Sequence, residues 1–296
     1  MPKPLLTSWS GSLHKSFRVL PTGSFTNDDL LAFLNSEEGD PWQSVHEKLP
    51  YARERAASGA GAAADGGDDD EEDEEAPTPL LPDTKRYRDL RQVLENCGLM
   101  WEDGDGRIHF TELGRSLKRF MPIASERNIT LFSQHAALAL NVCQLRNPTG
   151  AGRRYHADMT VFPFRFIWRA MLRLGGRINS DELNRAIFAT RNPDMLTEAI
   201  ERIRSYRVSH NLDDLGAETV SGRSKNDRLI PIVCLASFGW TLINQKDSQG
   251  YYTIRPHCTR ILEAAASVPV VHREYPSVEA YVTRISRAAC LPKDVR

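Results

Sequence analysis

The chain lacks the patterns that mark the best-known enzyme classes. Its 296 residues contain no G-x-S-x-G, no Walker A run, no H-E-x-x-H and no dinucleotide glycine fingerprint. No motif therefore implies a cofactor or a hydrolytic centre. Nuclease metal sites often use an acid followed two residues later by lysine on a strand. The one such spacing, Asp83-Thr-Lys85, follows Pro82 at a helix start, which is the wrong context. Cysteine is sparse: Cys97, Cys143, Cys234, Cys258 and Cys290 are scattered, with no C-x-x-C. His257-Cys258 is too tight a pair to serve one metal and has no ligand partners nearby. Reduced, mostly buried thiols are expected and, with no signal peptide evident, a cytoplasmic setting. No apolar run reaches the ~18 residues of a membrane span, so no membrane partner is expected.

The net charge of -1 shows no excess of either sign. One segment hides the imbalance. Asp65–Glu75 carries nine acids and no base; removing nine from 39 acids leaves 30 against 38 basic residues, an excess of eight. A basic body favours phosphate, whereas an acidic run favours solvation or a basic partner. Residues 51–83 are Ala/Gly-rich, then acidic, then Pro-rich. Such a composition cannot offset ordering entropy, and a disordered insertion is expected there.

What is present is a hairpin pattern that occurs twice. In Trp101–Leu117 and in Trp240–Leu262, a tryptophan precedes a polar turn ending in glycine (Gly106, Gly250). A short alternating strand follows (107–110, 251–254), then a helix start. Glycine supplies the positive φ that such a turn needs. Each hairpin is preceded by a predicted helix, 84–97 and 229–238. Helix, hairpin, helix is the back half of a winged helix-turn-helix.

Around these lie further expected elements. Phe17–Leu20 reads as a strand, Thr26 with Asp29 opens a helix, and a second short helix spans 41–49. A long helix over about 125–145 joins two modules, and Asn147–Gly152 marks the boundary. The second module starts with a helix over 163–174, closed by Gly175-Gly176. Asn179 with Glu182 forms a capping box for 180–190, Asn192-Pro193 starts a helix to about Tyr206, and a last helix lies near 277–289. Residues 207–228 read as polar and flexible. The expected fold is mainly α with small β-hairpin wings (α+β). The expected domains are 1–122 with the insertion at 51–83, a connector over 123–152, and 153–296.

Three basic clusters are candidates for nucleic-acid contact. On helix 84–97, Lys85, Arg86, Arg88, Arg91 and Gln92 point mostly outward; arginine and glutamine pair bidentately with guanine and adenine edges, and Arg107 on the wing adds a phosphate contact. The competing reading is a solvated helix face. The helix 229–238 is apolar and must be buried, so it reads no bases with its body. Its polar approach is another matter: Arg223, Lys225, Asn226 and Arg228 suit a phosphate at a helix N-terminus, and Lys246 and Gln249 extend the patch at the wing tip. An ordinary loop is the competing reading. Arg165, Arg169 and Arg173 recur at i, i+4 and i+8 on one helix stripe, with Arg153, Arg154 and Tyr155 before them. A carboxylate-paired face competes here. His109 and His135 read as packing or hydrogen-bonded residues, not general bases.

These segments resemble tandem winged helix-turn-helix domains, a superfamily shared by bacterial regulators and recognition domains of restriction enzymes. Leu99–Gly114, with its hairpin followed by Thr111-Glu-Leu-Gly114, carries most of the resemblance, which covers 84–120 well and 163–265 loosely. Gln144-Leu-Arg-Asn-Pro148, leading into the Arg-rich helix, resembles target-recognition parts of restriction or anti-phage systems. The resemblance implies double-stranded DNA as partner, either for a regulator or for a recognition component with a separate nuclease subunit, and a homodimer is compatible with it. Two other classes remain open: a module holding protein partners in a complex, and a metal-dependent nuclease.

Overall fold

The computed structural model describes residues 9, 36–42, 44, 91, 92, 94–120, 134, 135, 137–150, 154–220, 229, 230, 232, 233, 236, 237 and 240–289. Within these it is a mixed helix-and-strand protein with two small antiparallel sheets. The strand at Phe17–Leu20, the helix opened by Thr26 and the acidic insertion lie outside the described residues.

The first hairpin joins β1 (Met100–Glu102) to β2 (Ile108–Phe110), with Met100 opposite Phe110. Its turn is built by Asp103. The carboxylate Oδ1 accepts from the N–H groups of Asp105 and Arg107, both at 2.9 Å, while Gly106 takes φ +74°. Helix α1 (Glu112–Phe120) follows. Thr111 sits at its start: its hydroxyl donates to the Gly98 carbonyl at 2.5 Å and accepts from Gly114 N–H at 3.0 Å. Gly114 lies so close to the Leu99 carbonyl that an added Cβ would sit 2.0 Å from it. The Thr-x-Leu-Gly pattern is therefore a cap followed by a close approach.

In the second unit α2 (Pro163–Arg173) ends at the predicted Gly175-Gly176, both at positive φ, with Gly176 N–H reaching back to Met171 O at 2.7 Å. Strand β3 (Arg177–Asn179) comes next. The expected capping box is present and reciprocal. Asn179 N–H donates to Glu182 and Glu182 N–H to Asn179, each at 2.9 Å. The helix it opens runs with π-helical geometry over Glu182–Ile187. Asn192 caps a short 3-10 turn at Pro193–Met195 that leads into α3 (Leu196–Ser209). Residues 207–209 expected in a flexible stretch are thus helical, and Leu212–Leu215 adds a 3-10 turn.

The second hairpin joins β4 (Ile243–Asn244) to β5 (Tyr251–Ile254). Its turn repeats the first, 144 residues later. Asp247 Oδ1 accepts from Gln249 and Tyr251 N–H groups at 2.9 Å, and Gly250 takes φ +82°. One difference is a bulge: Asp247 pairs with Tyr251 and Asn244 with Thr253, leaving Gln245 and Lys246 opposite Tyr252. Helices α4 (Thr259–Ser267) and α5 (Val278–Ala289) follow.

Each hairpin has a third partner that the sequence pattern did not reveal. β3 pairs with β5, so the second sheet has the order β3-β5-β4. In the first unit the segment 38–42 takes the same place beside β2, through Gly39 N–H to Ile108 O, Ile108 N–H to Asp40 O and Trp42 N–H to Gly106 O, all at 2.8–2.9 Å.

A single hydrophobic core runs through both units. The predicted helix 229–238 contributes Leu229, Ile232, Val233 and Ala236 among its described residues, buried as its apolar sequence demands. The connecting helix is seen over 134–141 and ends short of Leu145. Helix α5, expected with the second domain, packs instead on β1 and α1 of the first. Ser286 accepts the Leu113 N–H at 3.1 Å, and Ile285 lies against Gly98. Conversely Trp9 is buried in the second unit, stacked on Phe188 at 5.2 Å, with its indole donating to Thr190 O at 2.6 Å. Cys97, Cys143 and Cys258 are buried free thiols, as expected of them.

Candidate nucleic-acid interface

The basic positions fall into three groups. Lys85, Arg86, Arg88, Arg153, Arg223, Lys225, Asn226 and Arg228 lie outside the described residues. Arg91, Arg107 and Arg165 are placed but committed to other partners, and Gln92 is buried. Arg154, Arg169, Arg173, Lys246 and Gln249 remain directed at least partly to solvent.

Gln92 corrects the reading of the first basic helix. It was expected outward, yet it is only 7% exposed, and its side-chain oxygen accepts no hydrogen bond. Arg91 is half-buried and ion-paired with Glu102 on β1, with Glu95 3.9 Å from its Nε. The helical period placed these two on the solvent side; the hairpin folding back over the helix covers them. Arg107 stays exposed at the wing but donates to the Gly39 carbonyl at 3.0 Å. Around it stand Glu38, Asp103 and Asp105, so the first wing carries more acid than base.

The arginine stripe of α2 divides along its length. Arg165 donates to Asn141 Oδ1 at 3.1 Å and to the carbonyl of Val268 at 2.6 Å. Val268 is the C-cap of α4, so Arg165 satisfies a helix end and complements its dipole. Arg169 and Arg173 have no carboxylate partner among the described residues. Burial, and then the neighbouring Arg173, lower the proton affinity of Arg169; for Arg165 the causes are burial and then Arg169. Mutual repulsion of this kind is relieved by an anion.

Two further cations lie at the second sheet, over rings that point to opposite faces of β5. Arg177 on β3 is exposed, and its guanidinium lies 4.8 Å from the Tyr251 ring centroid. Lys246 reaches over Tyr252 at 5.5 Å, a position set by the bulge. Gln249 is exposed at the turn. Arg207 has a different task. It grips Glu182 with Nε–Oε1 at 2.7 Å and Nη2–Oε2 at 3.0 Å, and donates to the carbonyls of Leu174 and Arg177 at 2.8 Å. Glu182 is fully buried, so this bidentate pair fixes the corner where α2, β3 and α3 meet. Sequence reading missed it because the two partners are 25 residues apart and the capping box alone already accounted for Glu182. On α3, Arg202 pairs with Glu198 at 2.6 Å and Arg204 with Glu201 at 2.7 Å, which leaves that exposed face nearly neutral.

Gln144, at the predicted connector end, holds backbone instead of nucleic acid. Its amide donates to Arg273 O and accepts from Arg273 N–H, both at 2.8 Å. His135 faces Ala289 O at 3.0 Å, in keeping with a packing role. Among the described residues no three His, Cys, Asp or Glu side chains gather as metal ligands, and no helix is long and apolar enough to cross a membrane. No protein-family model matches the chain, and no curated protein matches it in sequence.

Proposed function

We propose that this protein binds double-stranded DNA through two winged helix-turn-helix units, as a regulator or as the recognition part of a restriction or defence assembly. The single observation that carries this reading is the Arg169–Arg173 row, which repeats on α2 with no carboxylate partner among the described residues. The like topology of the two sheets supports it, since each pairs an edge strand with the second strand of a hairpin. The α2 contacts are phosphate contacts, which orient a protein on a duplex without reading sequence.

The test is duplex binding measured across salt concentrations. Replacing Arg169 and Arg173 by Gln is expected to lower the slope of log affinity against log salt by about 0.9 per lost contact, for any duplex sequence. Stability should change little, because neither side chain has an ion pair to lose among the described residues. An unaltered slope would remove α2 from the interface.

A second reading, a module that holds protein partners, is favoured by the acidic first wing and by the internally paired charges on α3. It predicts no duplex binding even at low ionic strength, where phosphate contacts are strongest.

A further inference from the structure

We propose that His109 is a proton-operated clasp that holds the outer end of the edge segment 36–42 onto the first wing. The His109 ring lies between two carboxylates on different parts of the chain. Nδ1 is 3.1 Å from Glu38 Oε1 and Nε2 is 2.8 Å from Asp103 Oδ2. A neutral imidazole carries one N–H and would leave one carboxylate facing a lone pair; the imidazolium donates to both. The second oxygen of Glu38 accepts the Phe110 N–H at 3.0 Å, so one carboxylate joins the imidazole to the β2 backbone.

The other charged groups around the clasp are few. Arg115 on α1 approaches Glu38 at 3.6 Å. Arg107 gives its N–H to Asp103 and its guanidinium to Gly39 O, and Lys118 lies over the Phe110 ring at 4.6 Å and bonds Ser36 O. Trp101 of β1 stacks on the ring itself, with centroids 5.0 Å apart and planes 24° off parallel. Hydrogen bonding to Asp103 lifts His109 above the ordinary histidine range; burial opposes it, and hydrogen bonding to Glu38 adds a smaller upward push. The His109 hydrogen bond in turn holds Asp103 below the usual carboxylate range.

The direction of the pH dependence follows. A raised histidine value means that the clasp is complete below ~6.5 and is lost as pH rises through the folded-state value. A depressed Asp103 value means that its half is present above ~3.9 and is lost as pH falls through the lower folded-state value. The clasp is thus closed from mildly acidic to near-neutral pH and opens on the alkaline side. Opening is confined to one end, since Trp42 is buried and its N–H is held by Gly106 O at 2.8 Å.

The experiment uses the full chain and reads three signals against pH: the His109 ring by NMR, hydrogen exchange at the Phe110 and Trp42 amides, and Trp101 fluorescence. His109 is expected to titrate above ~6.5. Phe110 protection, corrected for the intrinsic rate, should fall several-fold across that same midpoint while Trp42 protection stays constant. Trp101 emission should rise as the quenching imidazolium is lost. In His109→Gln and in Glu38→Gln the Phe110 inflection should vanish; two variants keep the test open if one fails to fold. A His109 midpoint at or below ~6.5, or Phe110 protection without an inflection there, overturns the proposal. So does a parallel fall at Trp42, which would mean that the whole sheet opens.

Discussion

Glu95 stands on the helix that leads into the first hairpin, 5% exposed, with the Arg91 guanidinium nearby. Burial pushes its carboxyl up to about 7, an effect that Arg91 opposes without overcoming. Between ~4.5 and ~7 the folded chain binds this proton more tightly than the unfolded chain does, so stability falls as pH rises through that window. Glu95→Gln removes the ionisation. The variant is expected to match the native protein near pH 4 and to exceed it by up to about 3 kcal/mol at pH 8, taking 1.36 kcal/mol per pH unit. Urea denaturation at the two pH values checks this; a variant less stable at pH 8 would show that Glu95 is needed as the charged partner of Arg91. At this scale the sequence was a mixed guide. The helical period correctly set Leu94 inward, but it could not show that β1 and its Glu102 would fold over Arg91 and Gln92. Amphipathic period describes one helix against one flat core, and a hairpin returning over the polar side is invisible to it.

At the scale of elements, local chemistry was readable and remote pairing was not. Both hairpins, the capping box at Asn179–Glu182, the Gly175-Gly176 stop and the Asn192 cap follow from residues within a few positions of one another. The edge partners, 38–42 and β3, come from 66 and 76 residues away from the strands they join, as the Pro41–Arg107 and Arg177–Thr253 pairs show, too distant for turn rules to reach. Gly114 is the most demanding position in the first wing unit. It brings α1 onto the Leu99 carbonyl, the same oxygen that accepts the Thr111 N–H at 3.1 Å. Gly114→Ala ordinarily strengthens a helix, by roughly 1 kcal/mol. Here a methyl 2.0 Å from a carbonyl oxygen must push α1 away, and overpacking of about 1–3 kcal/mol or more outweighs the helix gain. A lowered melting temperature is expected; an unchanged or raised one would mean that α1 shifts without cost.

For the whole molecule, the notable arrangement is the exchange of chain ends between units. Trp9 is buried against Phe166 and Phe188 of the second unit, and α5 walls off the first, with Tyr281 accepting the Gln144 N–H at 3.0 Å on the way. Among the described residues the core continues across the boundary expected at Asn147–Gly152. Removing residues 277–296 should therefore damage the first unit, not the second. The expected outcome is loss of the Trp42 and Trp101 environments in NMR spectra, with the Trp168 indole, bonded to Ala236 O at 2.8 Å, retained. Survival of the first-unit signals would show that α5 is dispensable there.

That exchange also sets an order of assembly. Synthesis proceeds from Trp9 towards Ala289, so β1 and α1 leave the ribosome long before the helix that encloses them. The first wing unit must wait, its Gly98 and Leu113 backbone uncovered, until residues 278–289 have been made. A nascent chain stopped before them would present an open first unit, with no closed wing for a partner to meet.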